Sequence, residues 1–445
     1  MPLTPELRKF LRDLFQFLEL QPIEHTDPRY VPLYESLEDG DPVERLSRTI
    51  NFSETQSCQF FSGFRGTGKS TQLLRLKSQL EAEGYLAFYA NAMDYLNPAL
   101  PIEIGDLLVL LAGAFSDAVF ESEGINLAGQ SYWERFRNFL TTTQVELTDV
   151  ELGLVKDVAK LKLAFRDTPS FRDKLQQALS VRLFEVELQV RKFFEDYVKE
   201  LRERHLGNAG IVFIFDNLEQ LRGSATTEAE VIAGVQRLFT VHIDRLKIPY
   251  IHMVYTVPPW LKFLLAGVDV ELLPSICQWT KHPDRTPKAA GHASMLDVIR
   301  KRFGEEGFTR FFGDDSKAGE FVKVCGGNLR DLIRLLQEAF RRVDLLPITD
   351  KVIQSCIRSI RDDLLPIPTD DATWLSRIAR LREPSLPNGH PDTISRFALF
   401  LDVHLVLLFR NGDDWYDVHP LIREYVEQLA VTEQGHAIDG QGSSS

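Results

Sequence analysis

The sequence has little cysteine, no surplus of basic residues and no long uninterrupted apolar segment. Its four cysteines lie far apart without C-x-x-C spacing, which argues against disulfides or a zinc site and favours reduced, mostly buried thiols. The formal net charge of -13 argues against a chain that coats nucleic acid by charge alone, but it does not exclude a local basic face. The length of 445 residues predicts roughly two to four globular domains.

Charged or titratable residues interrupt the two most apolar stretches. Residues 104–120 include two aspartates, and residues 397–409 are too short to span a bilayer and include Asp402 and His404. We interpret both stretches as buried elements. Because the chain opens with a charged amphipathic helix pattern and not with a signal-peptide pattern, we expect a cytoplasmic protein with no membrane partner.

The most informative segment is residues 63–71, which read G-F-R-G-T-G-K-S-T and match the P-loop pattern G-x-x-x-x-G-K-[ST]. An apolar strand pattern precedes it at 58–61, and a helix pattern follows it at 69–80. The glycines let backbone N–H groups face an anion, and the helix N-terminus favours negative charge. The alternative, a chance glycine-rich turn, does not explain this strand and helix context. The segment therefore predicts that the chain binds a nucleoside triphosphate.

Individual residues of this loop have predicted roles. Lys69 would reach the β- and γ-phosphates, and the Ser70 hydroxyl would ligate Mg²⁺. The predicted cofactors are accordingly ATP and Mg²⁺, although the sequence does not separate ATP from GTP. The full set of predicted nucleotide-binding residues in the loop is Gly63, Arg65, Gly66, Thr67, Gly68, Lys69, Ser70 and Thr71.

Further strands predict the fold class. Apolar segments at 85–90, 211–216 and 250–256, with a weaker one at 270–273, alternate with helical patterns. Such alternation is typical of a parallel α/β sheet. We therefore predict a P-loop NTPase core of α/β class, in which these strands lie parallel.

The strand ends carry the next candidate residues. Asp216 ends an apolar strand downstream of the P-loop and is predicted to hold Mg²⁺, the alternative being a helix-capping carboxylate. Asn217 follows it and cannot accept a proton, so it can only orient water. Glu219 is the nearest candidate base or, alternatively, a solvated loop residue. Thr256 ends the next strand and could sense the γ-phosphate or merely cap the strand with a polar group.

An insertion at about residues 124–205 separates the second and third strands. Within it, residues 145–165 alternate in places between apolar and charged residues, which predicts a hairpin or paired strands. From Ser170 onward, apolar residues recur every three or four positions and predict one helix of about 30 residues. This stripe is explained by core packing or, alternatively, by a partner-binding face.

The remaining chain is predicted to be mainly helical. Two short strands around the turn 411–414 follow several helices, a pattern typical of a winged-helix module. The predicted organisation is an N-terminal helix and lead-in at 1–40, an ATPase core at 41–286, a helical lid at 287–345, a winged-helix-like domain at 346–432 and a disordered tail at 433–445.

The order of phosphate loop, Asp-ended strand and polar-ended strand resembles the AAA+ and STAND superfamily of P-loop ATPases. Residues 326–332, G-G-N-L-R-D-L, look like the sensor-2 start of the lid helix in origin-recognition-type AAA+ proteins, where the arginine, here Arg330, would reach the γ-phosphate. The alternative is a surface arginine. Residues 418–425, V-H-P-L-I-R-E-Y, look like the histidine motif of STAND switches. The resemblance implies that His419 touches the β-phosphate of ADP; the alternative is a buried, satisfied histidine.

Departures from these families narrow the predicted function. Residues 257–274 contain no arginine, so an arginine finger acting in trans is not expected there, and Arg237 or Arg245 would be weak substitutes. Asn217 stands where fast ATPases of this class carry glutamate. We therefore predict a slow ATPase that acts as a molecular switch, in which nucleotide state changes the lid and winged helix.

The predicted partners follow from this hypothesis. A switch would regulate a protein partner or self-associate, and resemblance alone suggests antiphage defence in a bacterial conflict system. The alternative function is a DNA-binding initiator or loader. It is less favoured because the predicted wing carries Asp413, Asp414 and Asp417, and an acidic wing does not suit contact with phosphates.

Overall fold

The computed structural model describes residues 4–35, 37–38, 40–126, 132–142, 158–224, 226–263, 268–282, 284–388 and 390–441. The chain divides into two compact units. The first comprises Met1–Pro42, Gly63–Thr71 and Leu273–Ser445, and the second comprises Val43–Ser62 and Gln72–Leu272. The P-loop therefore belongs to the same unit as the predicted lid and the C-terminal region.

Five strands form the sheet around which the second unit is built. They are β1 Ser57–Gly63, β2 Leu86–Asn91, β3 Ile211–Asp216, β4 His252–Val257 and β5 Val270–Leu273. Their order across the sheet is β2-β3-β4-β1-β5, and β2, β3, β4 and β1 pair in parallel. Every residue of β3 and β4 is buried, as expected for apolar strands covered on both faces. The predicted α/β class and its parallel sheet are confirmed.

The helices before residue 273 are α1 Pro5–Phe15, α2 Pro42–Asn51, α3 Lys69–Ala82, α4 Ile104–Glu123, α5 Tyr132–Thr142, α6 Val158–Asp167, α7 Pro169–Val181, α8 Leu183–Arg204 and α9 Glu228–Thr240. Helix α2 begins with Pro42, whose fixed φ suits the first turn of a helix. The two apolar stretches questioned above are not membrane spans: within the described residues, no helix has the length and apolar character needed to cross a bilayer.

The insertion differs from its prediction in two ways. Residues 158–165 belong to helix α6 and not to a hairpin, while residues 143–157 lie outside the described residues. In α6, Leu161 and Phe165 are buried but Leu163 is 55% exposed, so the apolar face follows the helical period. The predicted single long helix is two helices, because the backbone leaves helical geometry at Arg182 (φ -117°, ψ 25°).

Helices also dominate the C-terminal part of the first unit. They are α10 Ala289–Phe312, broken at Gly304, α11 Asp315–Val324, α12 Leu329–Arg342, α13 Asp350–Asp362, α14 Thr369–Leu381, α15 Pro391–Asp402 and α16 Pro420–Gln441. Strands β6 Val406–Asn411 and β7 Asp413–Val418 form an antiparallel hairpin around Gly412. The predicted hairpin after a run of helices is confirmed. Helix α16 extends to Gln441, and the predicted disorder of the tail at 433–445 stays a prediction.

Candidate functional site

The P-loop backbone has the conformation that its glycines permit. Gly66 and Gly68 have φ values of 88° and 90°, in the region that favours glycine. Thr67 is buried, and its hydroxyl donates to the Phe64 carbonyl oxygen at 2.9 Å. Both glycines and the buried threonine therefore fit a loop whose amides can face an anion.

Lys69 is the first residue of α3, and its side chain turns back into the loop. The ammonium group donates to the carbonyl oxygens of Gly63 at 2.9 Å and Phe64 at 3.1 Å, and the residue is 6% exposed. Ser70 lies beside it in the first turn of the same helix. The loop therefore holds a cation at the helix N-terminus, which fits the binding of a polyphosphate.

The start of helix α12 contacts the P-loop directly. Asn328 is fully buried, and its side-chain amide donates to the Arg65 carbonyl oxygen at 3.1 Å. The backbone N–H of Arg330 donates to the Gly66 carbonyl oxygen at 3.2 Å. A β-carbon on Gly66 would lie 2.2 Å from that of Arg330, so only glycine allows this approach. Arg330, chosen from its sequence motif, is therefore next to the P-loop.

The N-terminal lead-in also supports the loop. Tyr34 is buried, and its hydroxyl donates to the Thr67 carbonyl oxygen at 2.6 Å. The N–H of Ile23 donates to the Thr71 hydroxyl at 3.3 Å. Tyr34 therefore supports the loop through a buried hydrogen bond.

Asp331, next to Arg330, joins helix α12 to the C-terminal region. One of its carboxylate oxygens lies 3.0 Å from Nδ1 of His404 and 3.5 Å from Nε2 of His419. All three residues are buried, and the ring of Phe64 in the P-loop meets that of His404 edge-on at 6.3 Å. We call Asp331, His404 and His419 the histidine junction.

Burial and charge act in opposite directions on this junction. Burial alone would raise the pKa of Asp331, but hydrogen bonds and charges from His404 and His419 outweigh it and hold the pKa well below its ordinary value. Burial lowers the pKa of His404, against the opposing effect of Asp331. Asp331 is therefore ionised at neutral pH, and the junction is sensitive to protonation of His404.

His419 makes protein contacts through both ring nitrogens. Nδ1 accepts from the N–H of Leu421 at 3.2 Å, and Nε2 faces Asp331. His419 is thus buried, as the alternative interpretation expects, but its Nε2 makes no hydrogen bond to the described residues. The contact with nucleotide that the family resemblance implies for His419 stays a prediction.

In the second unit, Asp216 is fully buried at the end of β3. Its carboxylate accepts from the Tyr89 hydroxyl at 2.7 Å and from the N–H of Asn217 at 2.7 Å. Thr256 follows Tyr255, the β4 partner of Phe215, so the carboxylate and the hydroxyl end neighbouring strands at one edge of the sheet. The predicted grouping of Asp216 and Thr256 at adjacent strand ends is present.

The side chains after Asp216 are already hydrogen-bonded within this unit. Asn217 has a φ of 72°, and its amide donates to the Asn91 side chain at 2.9 Å and accepts from Gln220 at 2.7 Å. The Thr256 hydroxyl accepts from the N–H of Leu218 at 3.0 Å. Asn217 is thus held by the protein, which leaves less of its amide for orienting water than expected. Glu219 lies in the turn that follows and is 8% exposed.

Several residues around the P-loop, the end of β3 and the histidine junction were not identified from the sequence. Tyr89 was interpreted only as part of an apolar strand, although the β2–β3 register, which pairs Asn91 with Asp216, brings it close to the carboxylate. Asn328 carried a usable signal, because asparagine before a helix is a common N-cap, and its side chain does cap α12. Asp331 and His404 are far apart in sequence and carried no local signal.

Comparison with known proteins gives limited information. No protein-family model and no curated protein matches the sequence. The described part of the chain also lacks a group of three or more histidine, cysteine, aspartate or glutamate residues that could hold a metal ion.

Solved structures align over most of the chain. They include the ORC2 protein of Aeropyrum pernix in its ADP form, with 12% identity, TM-score 0.40 and coverage of 94% of this chain and 98% of that one. Cdc6p from Pyrobaculum aerophilum aligns with 12% identity, TM-score 0.37 and the same coverage. Drosophila ORC bound to DNA aligns with 11% identity, TM-score 0.37 and coverage of 96% and 93%. At these identities and scores, the alignments assign this chain neither a family nor a role for any residue.

Proposed function

We propose that this chain is a slow ATPase that acts as a molecular switch. The observation that carries the proposal is the contact of Asn328 and Arg330, at the start of α12, with carbonyl groups of the P-loop. A loop that rearranges around phosphates would change these hydrogen bonds. Nucleotide state would thereby reach the lid helix and, through Asp331, the C-terminal region.

Each predicted site residue has a role in this proposal. The amides of Gly66 to Ser70 would bind the phosphates, and Lys69 would exchange its loop carbonyls for phosphate oxygens. Arg330 would contact the γ-phosphate and report its presence. Ser70 and Asp216 would hold Mg²⁺, which neutralises phosphate charge when it is bound.

We expect slow turnover because of the residues that follow Asp216 in the chain. Asn217 cannot accept a proton, and its amide is held by Asn91 and Gln220. Glu219 is then the candidate base, and Thr256 the candidate sensor of the γ-phosphate. We expect a turnover below about one per second, at the slow end for enzymes.

Nucleotide binding is tested first with Lys69→Ala. We expect it to weaken ATP binding by at least about tenfold, because it removes charged hydrogen bonds to phosphate. Lys77→Ala is the matched control, since Lys77 lies on the same helix and pairs with Glu81. Equal ATP affinity in the wild type and Lys69→Ala would contradict the proposed site.

Hydrolysis is tested by phosphate release. Asp216→Asn should abolish magnesium-dependent turnover, and Glu219→Gln should slow it while ATP affinity is kept. Glu228→Gln, at an exposed position of α9, is the control. Wild-type turnover in the tens per second would contradict the slow switch, and no phosphate release at all would favour a protein that binds nucleotide only structurally.

The switch itself is tested through Arg330. Arg330→Ala should bring the affinities for ATP and ADP closer together, because it removes the proposed contact with the γ-phosphate. Arg341→Ala, on an exposed turn of the same helix, should leave their ratio unchanged. Protection of α12 amides from hydrogen exchange should also differ between the ATP and ADP states of the wild type.

The biological partner of such a switch stays a prediction. We propose a protein partner or self-association, with antiphage defence suggested by resemblance alone. At the tip of the β6–β7 hairpin, Asp413 is exposed and Asp414 pairs with Arg410 at 2.6 Å, which does not favour contact with DNA. Nanomolar binding to duplex DNA at physiological salt would instead support the initiator or loader function.

A further inference from the structure

A second buried carboxylate, Asp417 on β7, lies among three arginines. It accepts hydrogen bonds from Arg285 (Nε 3.0 Å, Nη2 3.3 Å), Arg382 (Nη1 3.3 Å), Arg423 (Nη2 3.1 Å), Trp279 (Nε1 3.2 Å) and the N–H of Val418 (2.8 Å). We call Arg285, Arg382 and Arg423 the arginine cluster. Its members come from the segment before α10, the end of α14 and the start of α16.

This cluster has more hydrogen-bond donors than its carboxylate can accept. A carboxylate offers about four lone-pair positions, and Asp417 already receives six donated bonds. The buried Nε atoms of Arg382 and Arg423 make no hydrogen bond to the described residues. Buried donors without partners are costly, so the cluster has capacity for a further acceptor.

The cluster also has more positive than negative charge. Among the charges that act most on Arg382 and Arg423, two are the carboxylates of Asp417 and Glu427, and the others are arginines of the cluster itself. Burial lowers the pKa of Arg423 to about 10 even though Asp417 opposes it. The charge of the cluster is therefore only partly compensated.

We propose that the arginine cluster binds a small oxyanion of the phosphate class. Guanidinium groups suit this ligand because their forked donors match phosphate oxygens in pairs. The side chains of Arg285 and Arg423 are 21% and 18% exposed, and would contact the anion directly. Arg382, at 5%, would contribute its charge from behind them.

The burial of the cluster favours a small anion over a nucleic-acid backbone. A duplex presents its phosphates to raised, exposed cations, whereas these guanidinium groups are mostly covered. The neighbouring hairpin tip also adds the exposed carboxylate of Asp413. The proposed ligand is therefore inorganic phosphate or a small phosphomonoester, and it does not depend on nucleotide binding at the P-loop.

The test measures thermal unfolding against inorganic phosphate, with potassium chloride at equal ionic strength as the reference. It uses Lys69→Ala as the background, so that the P-loop does not contribute. We expect a saturable rise in the unfolding temperature with phosphate, because a ligand that binds only the folded chain stabilises it. No rise beyond that in chloride would overturn the proposal.

Substitutions then locate the site. Arg285→Gln in the same background should raise the half-saturating phosphate concentration by about tenfold, the value of one charged hydrogen-bond pair. Arg380→Gln is the matched control, because Arg380 is exposed on the neighbouring α14. Equal half-saturation in Arg285→Gln and the control would place the phosphate elsewhere and overturn the proposal.

Asp417→Asn provides an independent test that does not depend on the loss of an arginine. Removing the competing carboxylate should lower the half-saturating phosphate concentration several-fold and restore part of any lost thermal stability. An unchanged response in a folded Asp417→Asn would contradict the proposal. In a parallel arm, binding of duplex DNA that is lost in Arg285→Gln, without any response to phosphate, would assign the cluster to nucleic acid.

Discussion

Asp331 and Asp417 are both buried carboxylates of the same unit, but their partners differ in kind. Asp331 faces two histidines in the histidine junction, whereas Asp417 faces the arginine cluster. Histidines can lose their charge near neutral pH, and arginines cannot. The first carboxylate therefore forms contacts that can change, and the second forms contacts that stay fixed.

The positions of the two carboxylates match this difference. Asp331 lies one residue after Arg330, at the lid-helix start that contacts the P-loop. If nucleotide state changes the contacts of the histidine junction, histidine partners suit that change because their charge can vary. Asp417 instead fixes β7 to Trp279 and to the ends of two helices, where a permanent contact stabilises the fold. We therefore propose that the contacts of Asp331 change with nucleotide state, whereas Asp417 is a structural anchor.

The largest expected effect comes from removing the anchor. Asp417→Asn should destabilise the protein by about 3–5 kcal/mol, because it leaves buried arginines without their carboxylate. Urea unfolding at pH 7.5 in phosphate-free buffer would measure the change. Asp413→Asn, at the exposed start of the same strand, should change stability by less than about 0.5 kcal/mol.

A smaller loss is expected at the histidine junction. Asp331→Asn should cost about 1–3 kcal/mol at pH 7.5, because a neutral histidine tolerates burial better than an arginine does. The same unfolding measurement applies, with Asp344→Asn at an exposed site beyond α12 as the control. A cost equal to that of Asp417→Asn would remove the distinction between the two carboxylates.

The sequence predicted the parts of the molecule that depend on local patterns. The P-loop, the strand ending in Asp216 and the hairpin before His419 all follow from short motifs and strand signals. The hairpin proposed in the insertion was wrong over residues 158–165. Leu161, Leu163 and Phe165 recur with the period of a strand, but only Leu161 and Phe165, four residues apart, share one face of the helix. Only the packing of the helix separates the exposed Leu163 from its buried neighbours.

The sequence could not predict contacts between residues that are far apart in the chain. Asp331 and His404 are 73 positions apart, and Arg285 and Asp417 are 132 apart. No local period links such residues, and tertiary packing alone brings them together. The arrangement of the histidine junction and the existence of the arginine cluster were for this reason outside the reach of motif analysis.

Substitution of His419 tests whether this residue of the histidine junction has a structural role or contacts nucleotide. His419→Gln should cost about 1 kcal/mol of stability, the usual value of one buried hydrogen bond, and should leave the affinity for ADP within about threefold. Calorimetric titration with ADP would measure that affinity. A tenfold loss of ADP affinity at unchanged stability would instead support the β-phosphate contact implied by the family resemblance.

The smallest expected effect is a change in how stability depends on pH. Burial lowers the pKa of His404 in the folded state, with further lowering from His419 and Arg330 and opposition from Asp331. The unfolded chain then binds a proton more readily than the folded one. The stability from neutral His404 is therefore fully present above about pH 6.5, the unfolded value, and is lost as pH falls through the folded pKa.

His404→Gln should consequently lose less stability than the wild type between pH 7.5 and 5.5. Burial also lowers the pKa of His242, His252 and His292, but these contributions are common to both proteins and cancel in the difference. Asp417→Asn should keep the wild-type dependence of stability on pH, because the pKa of Arg423, about 10, lies far above this range. If Asp417→Asn reduced the dependence of stability on pH as much as His404→Gln, protonation would not distinguish the histidine junction from the arginine cluster.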